Sequence, residues 1–405
     1  MSAASYRIDE LGWLQFQRLC DLVLGARSAV LTGDADRRRA GEHEGTQIVV
    51  TWRPMPQLRI GAELLGPAEL SAHIDASEGL RRALPSLLGV RDLEGLITAE
   101  VRERSTIALD EAQRLARVFV TTRAYGRALE ALDEHRFVVL AGPPEMGKTA
   151  IARMLGLAQM TCGWEAHECT TAEQLWARFD ADRPQLFIAD DAFGSTEYRP
   201  DAAERWAGEL DRVLRHLDDR HRLVWTSRPA PLKAGLRRLH RERGLERFPA
   251  PGEVDVDAGS LDDEEKALIL FRHAQAAALP ADGVTLVRAY GRETVAHPHF
   301  TPERIRRFVT DRLPVLLRSY VRGQQVDFGA AVEQELEEPT AAMAASYRAL
   351  EPRHRALLVA MLDAPDPPVH ERDLAAALRR HHAGGLPQAP RELVDRLADH
   401  FVRVT

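Results

Sequence analysis

Phe137-Val138-Val139-Leu140-Ala141 runs directly into Gly142-Pro143-Pro144-Glu145-Met146-Gly147-Lys148-Thr149, a complete G-x-x-x-x-G-K-[ST] octet, and Ala150 then opens a helical run to Met160. The apolar quintet reads as a buried strand. Strand, glycine-bearing turn and helix N-terminus in that order make a cradle for an anion, because the free N–H groups of the turn and of the first helical residues all point at it. The glycines let the backbone close around phosphates, Lys148 reaches the β and γ oxygens, and the Thr149 hydroxyl ligates Mg²⁺. The expected nucleotide-lining residues are therefore Gly142, Pro143, Pro144, Glu145, Met146, Gly147, Lys148, Thr149 and Ala150.

The 405 residues have room for two or three domains, and 45% of them are hydrophobic, enough for ordinary cores. The formal net charge of −7 gives no overall field for nucleic acid or an acidic membrane. The arginine clusters at Arg37 to Arg39 and from Arg237 to Arg247 read as solvated faces. Cys20, Cys162 and Cys169 lack metal-ligand spacing and suit a reducing compartment. Neither a charged-then-apolar leader nor an apolar run of membrane-spanning length stands in the sequence, so the expectation is a soluble, cytoplasmic protein. The three lysines are Lys148, Lys233 and Lys266, and one of them sits in the octet.

Around the octet, apolar runs alternate with helical ones, as a parallel α/β sheet requires. The expected strands are Phe137 to Ala141, Ala166 to Thr170, Gln185 to Asp190, Arg222 to Thr226 and Glu253 to Val256. Ahead of them, residues 1–109 read as a separate unit with an amphipathic helix at Leu11 to Leu24 and a β-rich stretch at Gln47 to Trp52. The nucleotide core is expected over residues 110–259. Past Ser260 the strand signal ends: Ser260-Leu261-Asp262-Asp263 reads as a capping-box start, and helices run on to about Tyr320. Residues 260–338 make one helical segment and 339–405 a compact helical group, whose final stretch His400 to Thr405 reads as one wing strand without a return strand. That suggests a core of a longer protein.

Leu186-Phe187-Ile188-Ala189-Asp190-Asp191 is an apolar strand ending in two acids, the Walker B pattern. Asp190 would hold the Mg²⁺ shell at the carboxyl end of its strand, and Asp191 would orient or activate the attacking water. The next strand ends in Thr226-Ser227-Arg228; its polar tip would lie beside Asp190, with Arg228 supplying positive charge to a terminal phosphate. The catalytic candidates are thus Lys148, Asp190, Asp191 and Arg228, and the metal candidates Thr149 and Asp190.

Phe119-Val120-Thr121-Thr122-Arg123-Ala124-Tyr125, the octet, the Asp190-Asp191 pair, Thr226-Ser227-Arg228, Leu261 to Lys266 and His297-Pro298-His299-Phe300-Thr301-Pro302-Glu303-Arg304-Ile305 together resemble the novel STAND NTPases of bacteria. The resemblance covers roughly Phe119 to Arg318. It implies a P-loop NTPase of the additional-strand class with a five-stranded parallel sheet, a helical lid and a winged-helix-like unit. It further implies an ATP/ADP-operated switch that oligomerises when an unknown protein or phage-derived trigger releases the lid, often in antiphage defence. Val120 and Thr122 would line the adenine pocket, and Pro298 would approach the nucleotide. Glu145-Met146 departs from the family, which usually carries glycine and a small residue there.

Trp13 to Cys20, Gly33-Asp34-Ala35-Asp36 and Ile48 to Trp52 are similar to Mrr-like restriction-endonuclease domains. Cleavage in that fold needs an acid-x-lysine element where Val50, Thr51, Trp52 and Arg53 stand, and no lysine precedes Lys148. Arg53 holds its proton too tightly to substitute. A degenerate nuclease-like fold is expected. The alternatives to a switch ATPase are a nucleotide-gated DNA nuclease and a nucleotide-bound scaffold or transcription regulator; acids among the arginines of the C-terminal helices disfavour groove binding.

Overall fold

The computed structural model describes residues 19–20, 28–30, 38–43, 46–51, 63–77, 80, 97–192, 206, 209–210, 212–229, 232, 251–322, 324–338, 344, 347–348, 350–362, 369–381, 393–394 and 397. Two compact units are present: one gathers residues 1–122, 153–167 and 180–186, the other 123–152, 168–179 and 187–405.

In the first unit, β1 (Ser28–Val30), β2 (Arg38–His43), β3 (Thr46–Thr51) and β4 (Glu63–Leu65) form a sheet in that order. The first three pair antiparallel, whereas β4 joins β3 in parallel, with Val50 opposite Leu65. Helix α1 (Pro67–Ala76) starts directly after β4. Pro67 needs no hydrogen bond for its absent N–H, and the Glu69 carboxylate accepts the Gly66 N–H at 3.0 Å. Leu70 and Ile74, one turn apart, are fully buried. Helices α2 (Ala99–Arg104) and α3 (Leu109–Ala116) follow. Of the helix expected at Leu11 to Leu24, only Leu19 and Cys20 are described, and both are helical and buried. Asp34, Asp36 and Arg53 lie outside the described residues.

Helix α4 (Arg123–His135) leads into β5 (Phe137–Ala141), and α5 (Lys148–Thr161) leaves it. Then come β6 (Glu165–Cys169), α6 (Ala172–Trp176), β7 (Gln185–Ala189), β8 (His221–Ser227), the single turn α7 (Pro251–Val254) and β9 (Asp255–Asp257). The five strands make a parallel sheet in the order β6-β7-β8-β5-β9. Leu140 in β5 stands opposite Thr226 in β8 and Val256 in β9. Every residue of β5, β7 and β8 is buried, which is why their central runs, Phe137 to Ala141, Leu186 to Ala189 and Leu223 to Trp225, are continuously apolar and not alternating. Phe137, Phe187, Leu223 and Trp225 share one core with Trp206, Leu210 and Val213. The Trp225 ring meets Phe137 and Trp206 edge to face at 5.3 and 5.2 Å between centroids.

The strand expected at Glu253 to Val256 is displaced. Pro251 to Val254 form a helical turn, and the strand begins only at Asp255. Proline at a first helical position favours the turn, and a short edge strand tolerates the two aspartates.

A helical segment follows: α8 (Asp263–Ala276), α9 (Ala281–Ala296), α10 (Pro302–Arg307), a π-helical turn (Phe308–Arg312), α11 (Leu313–Val321) and α12 (Phe328–Glu337). The capping box that starts α8 uses Asp262 and Glu265, two residues later than the expected Ser260. Asp262 accepts the Glu265 N–H at 2.8 Å, and Glu265 accepts the Asp262 N–H at 3.0 Å. Pro314 has no N–H to give the turn before it, and the widened turn immediately ahead absorbs that mismatch. Helices α13 (Pro352–Leu362) and α14 (Glu371–His381) bury Leu357, Ala360, Leu374 and Leu378 against Leu393 and Leu397. His400 to Thr405 lie outside the described residues. No helix among the described residues is long and apolar enough to cross a membrane.

Candidate nucleotide site

The octet turns between β5 and α5 through two left-handed residues, Glu145 at φ +67° and Gly147 at +86°. A Cβ on Gly147 would meet nothing within 4 Å, so glycine is there for its left-handed backbone and not for want of space. The loop entrance is seated on the end of β9. Ala258 N–H donates to Ala141 O at 2.7 Å, and a Cβ on Gly142 would stand 3.0 Å from Gly259 N. From the other side, a Cβ on Gly259 would come within 2.6 Å of Pro143 Cδ.

Lys148 is 8% exposed, and its Nζ donates to Gly142 O at 2.9 Å and Pro143 O at 2.7 Å. Burial lowers its pKa to about 8; Asp191 and Asp190 oppose that shift, and Arg228 adds to it. The Thr149 hydroxyl, at the start of α5, donates to Asp190 Oδ1 at 3.1 Å.

Thr226, fully buried near the end of β8, organises both acids from the neighbouring strand. Its Oγ1 donates to the Asp190 carboxylate and accepts the Asp191 N–H at 2.9 Å. Its carbonyl accepts the Ala192 N–H at 3.2 Å. Asp191 is left-handed at φ +48°, which turns the chain sharply after β7. Burial and then the Asp190 charge raise the Asp191 pKa to about 6, while Arg228 and Lys148 pull it back. Arg228, half-buried one residue past β8, has its pKa lowered by burial against the attraction of Asp191 and Glu145.

The structure thus brings Lys148, Thr149, Asp190, Asp191 and Arg228 around the carboxyl ends of β5, β7 and β8, the usual ligand side of a parallel sheet. Val120 is buried and Thr122 half-buried, at the end of the first of the three segments that make up the first unit. Pro298 is exposed in the turn after α9. A contact between that turn and the loop comes instead from Thr301, whose hydroxyl lies 3.5 Å from Glu145 Oε2. Arg304, three residues on, is 5% exposed; burial lowers its pKa against the attraction of Glu145. Sequence reasoning did not single out Thr301 and Arg304 as site residues; Thr301-Pro302 marks a helix start and gives no hint of a partner in the loop.

A hydroxyl and a carboxylate side by side form a hard oxygen pair suited to Mg²⁺, with phosphate oxygens and water completing its shell.

Residues 119–276 match the family described as Novel STAND NTPase 3. Among solved structures, the chain is similar to the Walker-type ATPase PABY2304 of Pyrococcus abyssi, at 14% identity and a TM-score of 0.43 over 68% of this chain and 87% of that one. It is also similar to a RuvB variant of Thermotoga maritima, at 18% identity and a TM-score of 0.37 over 66% and 84% of the respective chains. No curated protein matches.

Proposed function

We propose that this protein is a STAND-type switch that binds ATP with Mg²⁺ and hydrolyses it slowly. The observation that carries the reading is the single hydroxyl of Thr226, which ties Asp190 to Asp191 while Asp190 is bonded to the loop's Thr149. Three groups that phosphoryl chemistry needs, Thr149, Asp190 and Asp191, are thereby joined in one hydrogen-bonded chain. Bound ATP would supply the phosphoanhydride bond that is cleaved. Lys148 and the loop N–H groups bind the phosphates, Thr149 and Asp190 hold the metal, and Arg228 offsets negative charge. Asp191, with a pKa of about 6, is mostly ionised at neutral pH yet basic enough to accept a proton from water.

By the resemblance to STAND NTPases, residues 260–338 serve as a lid and 339–405 as a winged-helix-like unit. Residues 1–109 serve as a degenerate endonuclease-like fold used for recognition or assembly. A trigger, protein or phage-derived, would release the lid and drive homo-oligomerisation.

The test is to identify nucleotide co-purifying with the protein and to compare Lys148→Ala for nucleotide content and oligomeric state. The wild type should carry ATP or ADP and the variant should lose it. A variant that keeps its nucleotide and assembles as the wild type does would overturn the reading.

A further inference from the structure

Helix α11 buries Leu313 and Leu317, one turn apart, and the stripe opposite them carries Val315, Arg318 and Arg322 at helical spacing. From Leu313 to Gln325 the chain has no acid. Arg318 and Arg322 are exposed, and neither makes an ion pair among the described residues. Beside them Tyr320 is 53% and Val321 77% exposed. Five large apolar side chains are exposed between Asp263 and Val321 among the described residues, and three of them stand on this one helix. Apolar groups rimmed by unpaired cations make a docking surface. Helix α12 has the opposite character: three glutamates and no basic residue. Glu335 turns inward to Arg307 at 2.9 Å, whereas Glu333 and Glu337 are exposed. Glu333 keeps 61% of its side chain in solvent although His297 Nε2 approaches it at 3.5 Å. Arg318 with Arg322 and Glu333 with Glu337 have the same i, i+4 spacing, about 5–6 Å along a helix. Two such helices side by side therefore align two ion pairs at once. Within one chain the described contact between these stretches is Arg312 Nη2 to Gln334 Oε1 at 3.4 Å, and the two matched pairs do not meet.

We infer that α11 of one copy docks on α12 of a second copy of this chain, with Arg318 and Arg322 facing Glu333 and Glu337 and with Tyr320 and Val321 as the apolar anchor. This gives a surface to the homo-oligomerisation proposed above; it rests on that part of the reading and not on the nucleotide site. Exposed ion pairs add little affinity, so their part is register and partner choice. The tyrosine ring and the valine, withdrawn from water, supply more of the attraction. At a net charge of −7 two copies repel one another. A basic stripe set on an acidic one offsets that repulsion in this register, and other registers lack the compensation. Every copy carries both halves of the contact.

The experiment is sedimentation velocity of the whole chain with Mg²⁺ and either ADP or a non-hydrolysable ATP analogue. It compares the wild type, Arg318→Glu/Arg322→Glu, Glu333→Arg/Glu337→Arg and an equimolar mixture of these two variants. Arg288→Glu/Arg292→Glu, an exposed pair at the same spacing on α9, controls for net charge. Val321→Ser tests the apolar anchor and keeps the test open should a charge-reversed variant fail to fold. The wild type should self-associate in at least one nucleotide state. Each reversed α11 or α12 variant alone should associate at least about tenfold more weakly, and Val321→Ser at least about threefold more weakly. The mixture should return to within about threefold of the wild type, and the α9 variant should match it. A wild type monomeric in both states, a mixture no stronger than its components, an α9 variant as weak as the α11 one, or an unaffected Val321→Ser overturns the contact. Calorimetry on the same samples reads nucleotide binding separately: a wild type that binds no nucleotide, with association restored in the mixture, refutes the ATP-operated switch and supports the docking surface.

Discussion

Gly259 and Pro143 stand so close that a single added methyl cannot fit: a Cβ on Gly259 would lie 2.6 Å from Pro143 Cδ. The end of β9 is thus a seat for the first turn of the phosphate loop. Gly259→Ala should push Pro143 outward and weaken nucleotide binding by about tenfold, while costing only about 1 kcal/mol of stability. Calorimetric titration beside urea unfolding separates the two; loss of stability with unchanged affinity would refute the seat.

Thr226 is a second single-atom dependency. Thr226→Val keeps the shape of the fully buried side chain but removes the acceptor of the Asp191 N–H and a donor to Asp190. A buried group left unsatisfied costs about 1–3 kcal/mol. The denaturant midpoint should fall accordingly, and Mg²⁺-dependent hydrolysis should fall with it. Thr226→Ser, which retains the hydroxyl, should recover most of the hydrolysis.

Asp191 sets opposite pH trends for stability and turnover. Its folded pKa, about 6, lies above the ordinary 3.8, so the folded state holds the proton more tightly. The stability this gives is full below pH 3.8 and is lost as pH rises through 6. Asp191→Asn should therefore match the wild type near about pH 4 and exceed it by about 3 kcal/mol at neutral pH. Turnover needs the ionised form; it should rise through about pH 6 in the wild type and drop about 100-fold in the variant. Thermal unfolding and phosphate release across that range read both.

Glu265 binds two elements of the second unit. It is 5% exposed, accepts the Asp262 N–H at 3.0 Å and accepts the Arg123 N–H at 2.5 Å, so it joins the start of α8 to the start of α4. Glu265→Ala should cost about 2 kcal/mol, and Glu265→Gln, which keeps an acceptor oxygen, less. Equal midpoints for the two variants in urea would show that the N–H acceptor is not what matters.

The sequence made the sheet legible where burial is two-sided. The runs Phe137 to Ala141, Leu186 to Ala189 and Leu223 to Trp225 are continuously apolar because β5, β7 and β8 are covered on both faces. At the sheet's edge that signal fades, and β9 was expected two residues early, over what is a proline-started turn. Two overlapping capping patterns competed at α8; glutamate three residues after Asp262 reaches its N–H, whereas Asp263, three after Ser260, is one methylene shorter. Local pattern named Lys148, Thr149, Asp190 and Asp191, because each sits inside a contiguous motif. It did not connect Glu145 to Thr301 and Arg304, since 156 residues separate Glu145 from Thr301 and no periodicity spans that distance.

The place of β8 between β5 and β7 has a further consequence. The lysine loop and the paired acids grow from strands that are not neighbours, so the gap between them is two inter-strand spacings, roughly 9–10 Å. Main-chain hydrogen bonds fix that gap, and side-chain packing adjusts it little. β8 is in this sense a ruler. Its inward residues can drift in volume without altering the span, but an inserted or deleted residue within it would carry Thr226 to the wrong face and uncouple the loop from the acids at one stroke.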